Sequence, residues 1–202
     1  PRGIRSGTGP LRIPRGAIER LSRTGAATRT IVPGGLDRWD AGRGAWQEQA
    51  GRLACDKPGN AAFRDVGAPA RACFTLVLSW DERPDLDVLF AAGAGELARI
   101  QGGAGKKAGT PEHYRLEITA GDLLAIREGA TAKFDIAGSV PAGQGGLELQ
   151  VFVDQERGRM AVVLPADGAA AKPAFDETIP PRKPAAVRPG FAIKLRGGSV
   201  RI

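Results

Sequence analysis

One hairpin restricts the fold more than any other stretch: Leu147-Glu-Leu-Gln-Val-Phe-Val-Asp-Gln-Glu-Arg-Gly-Arg-Met-Ala-Val-Val-Leu164. Pairing its halves across Gln155 to Gly158 sets Val153 opposite Met160, Val151 opposite Val162 and Leu149 opposite Leu164. A strand sends every second side chain to the same side, so all of these share one face. Gly158 supplies the positive φ that such a turn requires. A sheet with one continuous apolar face must cover it with a second layer. The hairpin therefore predicts an antiparallel sandwich.

Other alternating segments recur along the chain at short intervals. Ala45 to Gln49 and Arg52 to Cys55 form a hairpin over Ala50-Gly51, and Asn60 to Val66 follows. Arg71 to Trp80 is the longest clean strand, with Phe74, Leu76, Leu78 and Trp80 on one face. Its other face, Cys73, Thr75, Val77 and Ser79, is also largely apolar, which predicts a central strand covered on both sides. Asp87 to Ala92, His113 to Ile118 and Leu123 to Arg127 come next, the last two joined around Ala120-Gly121. In Thr131 to Ala137 the alternation places Phe134 and Ile136 inward and Lys133 and Asp135 outward. Asp167 to Pro189 reads as a long irregular crossing, and Gly190 to Leu195 and Ser199 to Ile202 close the chain as strands. No convincing amphipathic helix exceeds two turns.

The Pro33-Gly34-Gly35 break divides the chain. Residues 1–33 are expected to be the end of a preceding small β module and a linker, and residues 34–202 the sandwich. The whole is expected to be a piece of a larger protein. No apolar run approaches the roughly 18 residues of a membrane span.

The formal charge of +7 raises the question of nucleic acid. The basic residues are interspersed with acids, as in Asp81-Glu-Arg83, and aromatics for stacking bases are few, which argues against such a partner. Cys55 and Cys73 cannot make a metal site alone, and a lone His113 does not complete one. The two cysteines are expected to be free thiols.

The order of these segments resembles the concanavalin A-like jelly roll in its laminin-G-like bacterial versions, and especially the 3-keto-disaccharide hydrolase family. Trp46 with Gly51-Arg-Leu53 resembles that family's opening pattern, and Phe74-Thr-Leu-Val-Leu78 its core strand. Leu149 to Leu164 resembles its hairpin, and Gly190 to Gly198 its closing strand before a final Val-Arg-Ile. The family's Asn-Ser-Gly-Ile run is replaced by Pro84-Asp-Leu-Asp-Val-Leu-Phe90. The resemblance implies an all-β, two-sheet antiparallel jelly-roll sandwich, exported from a bacterial cell, with carbohydrate as the first ligand expected and another protein as the second.

Three clusters bear on chemistry. Asp81, Asp85 and Asp87, with Glu82 among them, follow a core strand, and rim carboxylates so spaced are hard-oxygen ligands suited to Ca²⁺. Glycoside cleavage needs two facing carboxylates. Asp85 with Asp87, and Asp154 with Glu156, have i, i+2 spacing, but neither pair has an aromatic frame around it. His113, Arg115 and Glu117 share a polar strand face, beside Arg127, that can hydrogen-bond a sugar while Trp80 or Tyr114 stacks on it. No nucleophile or acid–base set is evident. The expected function is that of a non-catalytic binding or structural module, with a glycoside-cleaving enzyme as the competing class.

Overall fold

The computed structural model describes residues 39–41, 44–93, 114–119, 121–127, 133–140, 142–164, 177–178 and 187–202. Segments 1–38, 94–113 and most of 165–186 lie outside these, and with them the expected preceding module. Among the described residues the chain is all strand and turn. In chain order the strands are β1 (Trp46–Gln49), β2 (Arg52–Cys55), β3 (Ala61–Asp65), β4 (Arg71–Trp80), β5 (Asp85–Ala92), β6 (Tyr114–Thr119) and β7 (Asp122–Arg127). β8 (Lys133–Ser139), β9 (Gly145–Asp154), β10 (Arg159–Val163), β11 (Glu177–Thr178), β12 (Gly190–Gly197) and β13 (Val200–Arg201) complete the set.

They form two antiparallel sheets, ordered β1-β2-β13-β4-β9-β10-β11 and β3-β12-β5-β6-β7-β8. The β9–β10 register is the predicted one: Val153 pairs with Met160 and Val151 with Val162. Gly158 takes a φ of 64° at the turn. Leu149, Val151, Val153, Met160 and Val162 are all buried. Each sheet turns its apolar face to the other. Phe74 of β4 meets Phe90 of β5 at 5.0 Å between ring centroids and stacks on Phe191 of β12 at 5.9 Å. Trp39, ahead of β1, packs edge-on against Phe191 at 6.1 Å. Gln155 is a buried polar residue in the hairpin turn. Its side chain donates to the Arg188 carbonyl (2.8 Å) and accepts from the Arg188 amide (2.9 Å), tying the approach to β12 to the hairpin.

Two expectations are corrected. β4 is central in its sheet, but its second face is open: Cys73 and Thr75 are exposed and Val77 is 50% exposed. The strand covered on both faces is β5, buried from Leu86 to Ala92. Its outward Leu89 joins Ala61, Phe63, Ala92 and Ala192 in a second, small apolar cluster. Phe134 and Ile136 point outward, 65% and 63% exposed. The cause is register. β8 pairs Ile126 with Phe134 and Leu124 with Ile136, and an irregularity follows before Leu123 pairs with Gly138. Ala137 is the extra residue of that bulge and is the one buried. Both cysteines are free, Cys55 buried and Cys73 exposed.

Val151 is fully buried, whereas Glu148 on the neighbouring pleat is exposed. Burying a valine contributes about 1.5–3 kcal/mol, and an unpaired charge there adds a desolvation penalty. Val151→Asp should abolish folding or remove several kcal/mol of the roughly 5–15 available to a domain. Glu148→Ala should stay within about 0.5 kcal/mol of wild type. Urea melts of the two variants test the register, because a one-residue slip would exchange the outcomes.

The β1–β2 turn offers a gain instead. Ala50 and Gly51 both have positive φ, 50° and 75°, the pattern of a tight hairpin turn in which Asn-Gly is preferred. Ala50→Asn should raise stability by about 0.5–1 kcal/mol in the same melts.

Candidate functional site

The chain changes sheet twice in one place. After β4 it crosses through Asp81 to Pro84 into β5, and after β12 it crosses back through Gly198 into β13. The two crossings touch: a Cβ on Gly198, whose φ is 72°, would lie 3.2 Å from the Pro84 Cα. β4 pairs with β13 in one sheet, and β5 with β12 in the other. Acidic residues close in sequence are thereby dealt to opposite outer faces of the sandwich, each group beside an arginine from the chain's final strands.

On the seven-stranded sheet, alternation in β1 turns Trp46 inward and Gln47 and Gln49 outward. Register continues this row across the sheet. Gln47 pairs with Ala54, Ala54 with Arg201, and Arg201 with Ser79. Ala54 is small and buried, so it makes a floor between longer neighbours. The result is a cleft of about 160 Å³ lined by Gln47, Gln49, Ala54, Ser79, Asp81 and Arg201. Arg201 Nη2 donates to Asp81 Oδ1 at 2.7 Å, and Arg52 Nη1 donates to Ser79 Oγ at 2.8 Å. The cleft thus presents amides, a hydroxyl, and the guanidinium and carboxylate of the Arg201–Asp81 pair, with room well below the ~300 Å³ of a cavity for a drug-sized ligand.

On the six-stranded sheet, β12 turns Lys194 and Arg196 outward against β5 and β6. Arg196 reaches Asp85 Oδ1 at 2.6 Å, Glu117 Oε1 at 2.5 Å and Asp87 Oδ1 at 3.3 Å. Arg115 lies 3.6 Å from Glu117 and 4.0 Å from Asp87. Lys194 stands opposite Asp87, and Asp87 opposite Glu117. The Arg196–Asp87 contact lacks hydrogen-bond alignment, and Asp87 Oδ1 is buried without a hydrogen bond. Burial pushes the Asp87 carboxyl above its ordinary range; Arg196 and then Arg115 pull it down, Glu117 pushes it up, and Lys194 lowers it.

The residues expected to bind ligand or metal are distributed between these places. Trp80 borders the cleft, but it is 1% exposed; its ring belongs to the core and its Nε1 donates to the Gly143 carbonyl at 3.1 Å. Tyr114 is likewise buried, with Leu116 and Ile118, so neither aromatic offers a face for stacking. Arg115 and Glu117 share the outward face, as the alternation predicts. Arg127 stands opposite Tyr114 in register, whereas the partner of Arg115 is Ile126. The side chain of Arg127 and the whole of His113 lie outside the described residues.

The three aspartates of the proposed Ca²⁺ set do not converge. Asp81 is paired with Arg201 on one outer face, and Asp85 and Asp87 with Arg196 on the other. The Arg196 guanidinium lies among Asp85, Asp87 and Glu117. Among the described residues no group of three His, Cys, Asp or Glu side chains is placed to hold a metal ion. The residues that sequence reasoning missed are Arg196, Arg201, Gln47 and Gln49. Arg196 and Asp85 are 111 positions apart, so only the β5–β12 pairing brings them together.

No protein-family model matches the chain, and no curated protein matches it in sequence. Solved structures are similar to it. A protein described as a sialidase aligns with a TM-score of 0.53 at 15% identity, over 82% of this chain and 16% of its own. A mutant of the GH43 protein BlXynB from Bacillus licheniformis gives 0.49 at 10% identity, over 84% of this chain and 36% of that one. A functionally unknown protein from Saccharomyces cerevisiae gives 0.47 at 10% identity, over 83% and 94%. The chain thus spans about one-sixth of the sialidase it resembles. At 15% identity the likeness to the sialidase concerns the fold alone, the two-sheet sandwich, and leaves chemistry to the site.

The buried carboxyl gives a pH signature. A group whose folded pKa lies above its unfolded value, about 3.9 for Asp, holds its proton more tightly when folded. Its contribution to stability is complete below that value and is lost as the pH rises through the folded pKa. Asp87→Asn removes this loss. The stability of Asp87→Asn relative to wild type should therefore rise between about pH 3 and neutrality in urea melts at stepped pH. A relative stability that falls with pH would show the arginines to outweigh burial.

Proposed function

We propose that the chain is a non-catalytic carbohydrate-binding β-sandwich module of a larger exported bacterial protein, binding through the cleft of Gln47, Gln49, Ser79 and Arg201. The observation that carries this reading is the composition of that cleft. Two amides, a hydroxyl and a guanidinium project from adjacent strands of a rigid sheet. Amide and guanidinium groups supply the donors, and amide and hydroxyl oxygens the acceptors, that sugar hydroxyls need. Of the carboxylate pairs spaced for glycoside cleavage, Asp85 with Asp87 sits on the opposite outer face, and Asp154 with Glu156 sits at the β9–β10 turn beside Arg157 and Arg71. On that opposite face Asp85, Asp87 and Glu117 are each engaged by Arg196. The fold also occurs as a minor part of a much longer chain named a sialidase, the size relation expected of an attached module.

A glycan array followed by titration calorimetry tests the reading. Net hydrogen bonds are worth about 1 kcal/mol, roughly a fivefold change in affinity, and those to charged groups about 1.5–3. Gln47→Ala should weaken binding of an array-identified sugar about fivefold, and Arg201→Ala at least tenfold. Asp87→Asn, on the other face, should leave the affinity unchanged. Sugar binding indifferent to both cleft variants would move the site elsewhere. Turnover of a chromogenic or 3-keto glycoside, lost in Asp87→Asn, would make the chain an enzyme.

A further inference from the structure

Two guanidinium groups and one carboxylate meet around Ser79 of β4. β2 and β4 both pair antiparallel with β13, so they run the same way, and Ala54 and Ser79 both stand at Arg201. Arg52, two residues before Ala54, shares its outward face. The exposed Arg52 side chain crosses β13 and donates from Nη1 to Ser79 Oγ at 2.8 Å. The Ser79 hydroxyl in turn donates to the Arg201 carbonyl at 3.5 Å. Asp81, two residues on from Ser79, accepts from Arg201 Nη2 at 2.7 Å.

The charges there do not balance. Arg201 has Asp81, whereas Arg52 has a hydroxyl, and among the described residues no carboxylate lies within ion-pair distance of it. Asp56 also lines the cleft, but it follows the last residue of β2. It is thus four residues from Arg52, and about 13 Å of extended strand separates their Cα atoms. A guanidinium held by one hydroxyl keeps its other N–H donors for a further acceptor, and its planar fork matches the two oxygens of a carboxylate. The Ser79 contact already restrains the long side chain, so less freedom is lost when a ligand arrives. Gln49 stands opposite Arg52 in register, and Gln47 opposite Ala54. The amides suited to sugar hydroxyls therefore lie beside a cation suited to an acid.

We propose that the cleft takes an acidic sugar, with its carboxylate on Arg52 and its hydroxyls on Gln47 and Gln49; this rests on the carbohydrate reading of the cleft and adds the class of sugar. Asp56 and Asp81 repel an acid group placed beside them, so the carboxylate is directed to Arg52. A neutral sugar makes the amide contacts alone and binds more weakly.

Titration calorimetry of the full chain tests this with galacturonate and glucuronate oligosaccharides, each compared with its counterpart whose carboxyls are reduced to primary alcohols. Wild type should bind an acid at least about tenfold more tightly than its reduced counterpart, the scale of a hydrogen bond to a charged group. The margin should narrow as salt is raised. Arg52→Gln keeps a donor for Ser79 but removes the charge; it should erase the margin and leave the affinity for the reduced sugars unchanged. Gln47→Ala should weaken acid and reduced sugar by the same factor. Neutral sugars bound as tightly as the acids or more tightly, or a preference for acid that survives Arg52→Gln, would overturn the proposal and leave the cleft a sugar site. Binding of neither the acids nor any neutral sugar would overturn the carbohydrate reading itself, and the acid preference with it.

Discussion

The stacking of Phe74 on Phe191, with Phe90 wedged beside both, joins the two sheets, and the rest of the molecule depends on it. Phe74 comes from the long central strand of one sheet, and Phe90 and Phe191 from neighbouring strands of the other. Aromatic pairs at such distances contribute beyond the area they bury. Their effect on function is indirect. By holding the inner faces together they commit every alternate residue of β4, β5 and β12 to an outer face. Ser79, Asp87 and Arg196 then turn to an outer face because Leu78, Val88 and Leu195 cannot leave the core.

The paired sheet crossings have the second-largest consequence. A run of aspartates in one stretch of sequence suggests one site. The chain passes from one sheet to the other within that run, so the residues part company. Arg196 and Arg201 are separated in the same way by the return crossing, and each meets the acids that arrive on its own side. One outer face thereby acquires a half-buried ionic cluster around Arg196. Replacing one member of such a cluster leaves charge uncompensated, so the cluster resists change. The other face keeps a more open arrangement in which amides and a hydroxyl lie beside an exposed ion pair. The fold itself separates the ionic cluster from the open cleft.

Several features were readable residue by residue. The β9–β10 hairpin, the β1–β2 turn at Ala50-Gly51, the β6 alternation of Tyr114, Leu116 and Ile118 against Arg115 and Glu117, and the limits of β4 all depend on contacts within one strand or between adjacent strands. Misreadings arose where parity had to be judged against a partner distant in sequence. Apolar Phe134 and Ile136 looked like core because alternation tells which residues share a face, and the face that is buried depends on what the sheet packs against. Val77 and Cys73 looked covered for the same reason. Trp80 and Tyr114 looked available to a ligand because an aromatic near polar residues serves equally well as core or as platform.

The sequence by itself determined an all-β sandwich, the register of its central hairpin and the turns that permit it, since alternation and positive-φ glycines are local properties of the chain. Only the tertiary structure decided which outer residues meet. The cleft joins residues of β1 and β2 to others from β4 and β13, and the ionic cluster joins β5 and β6 to β12. Those encounters follow from the order of strands in the sheets. Strand order is set by the burial of both inner faces at once, a property of the whole chain that no single segment carries.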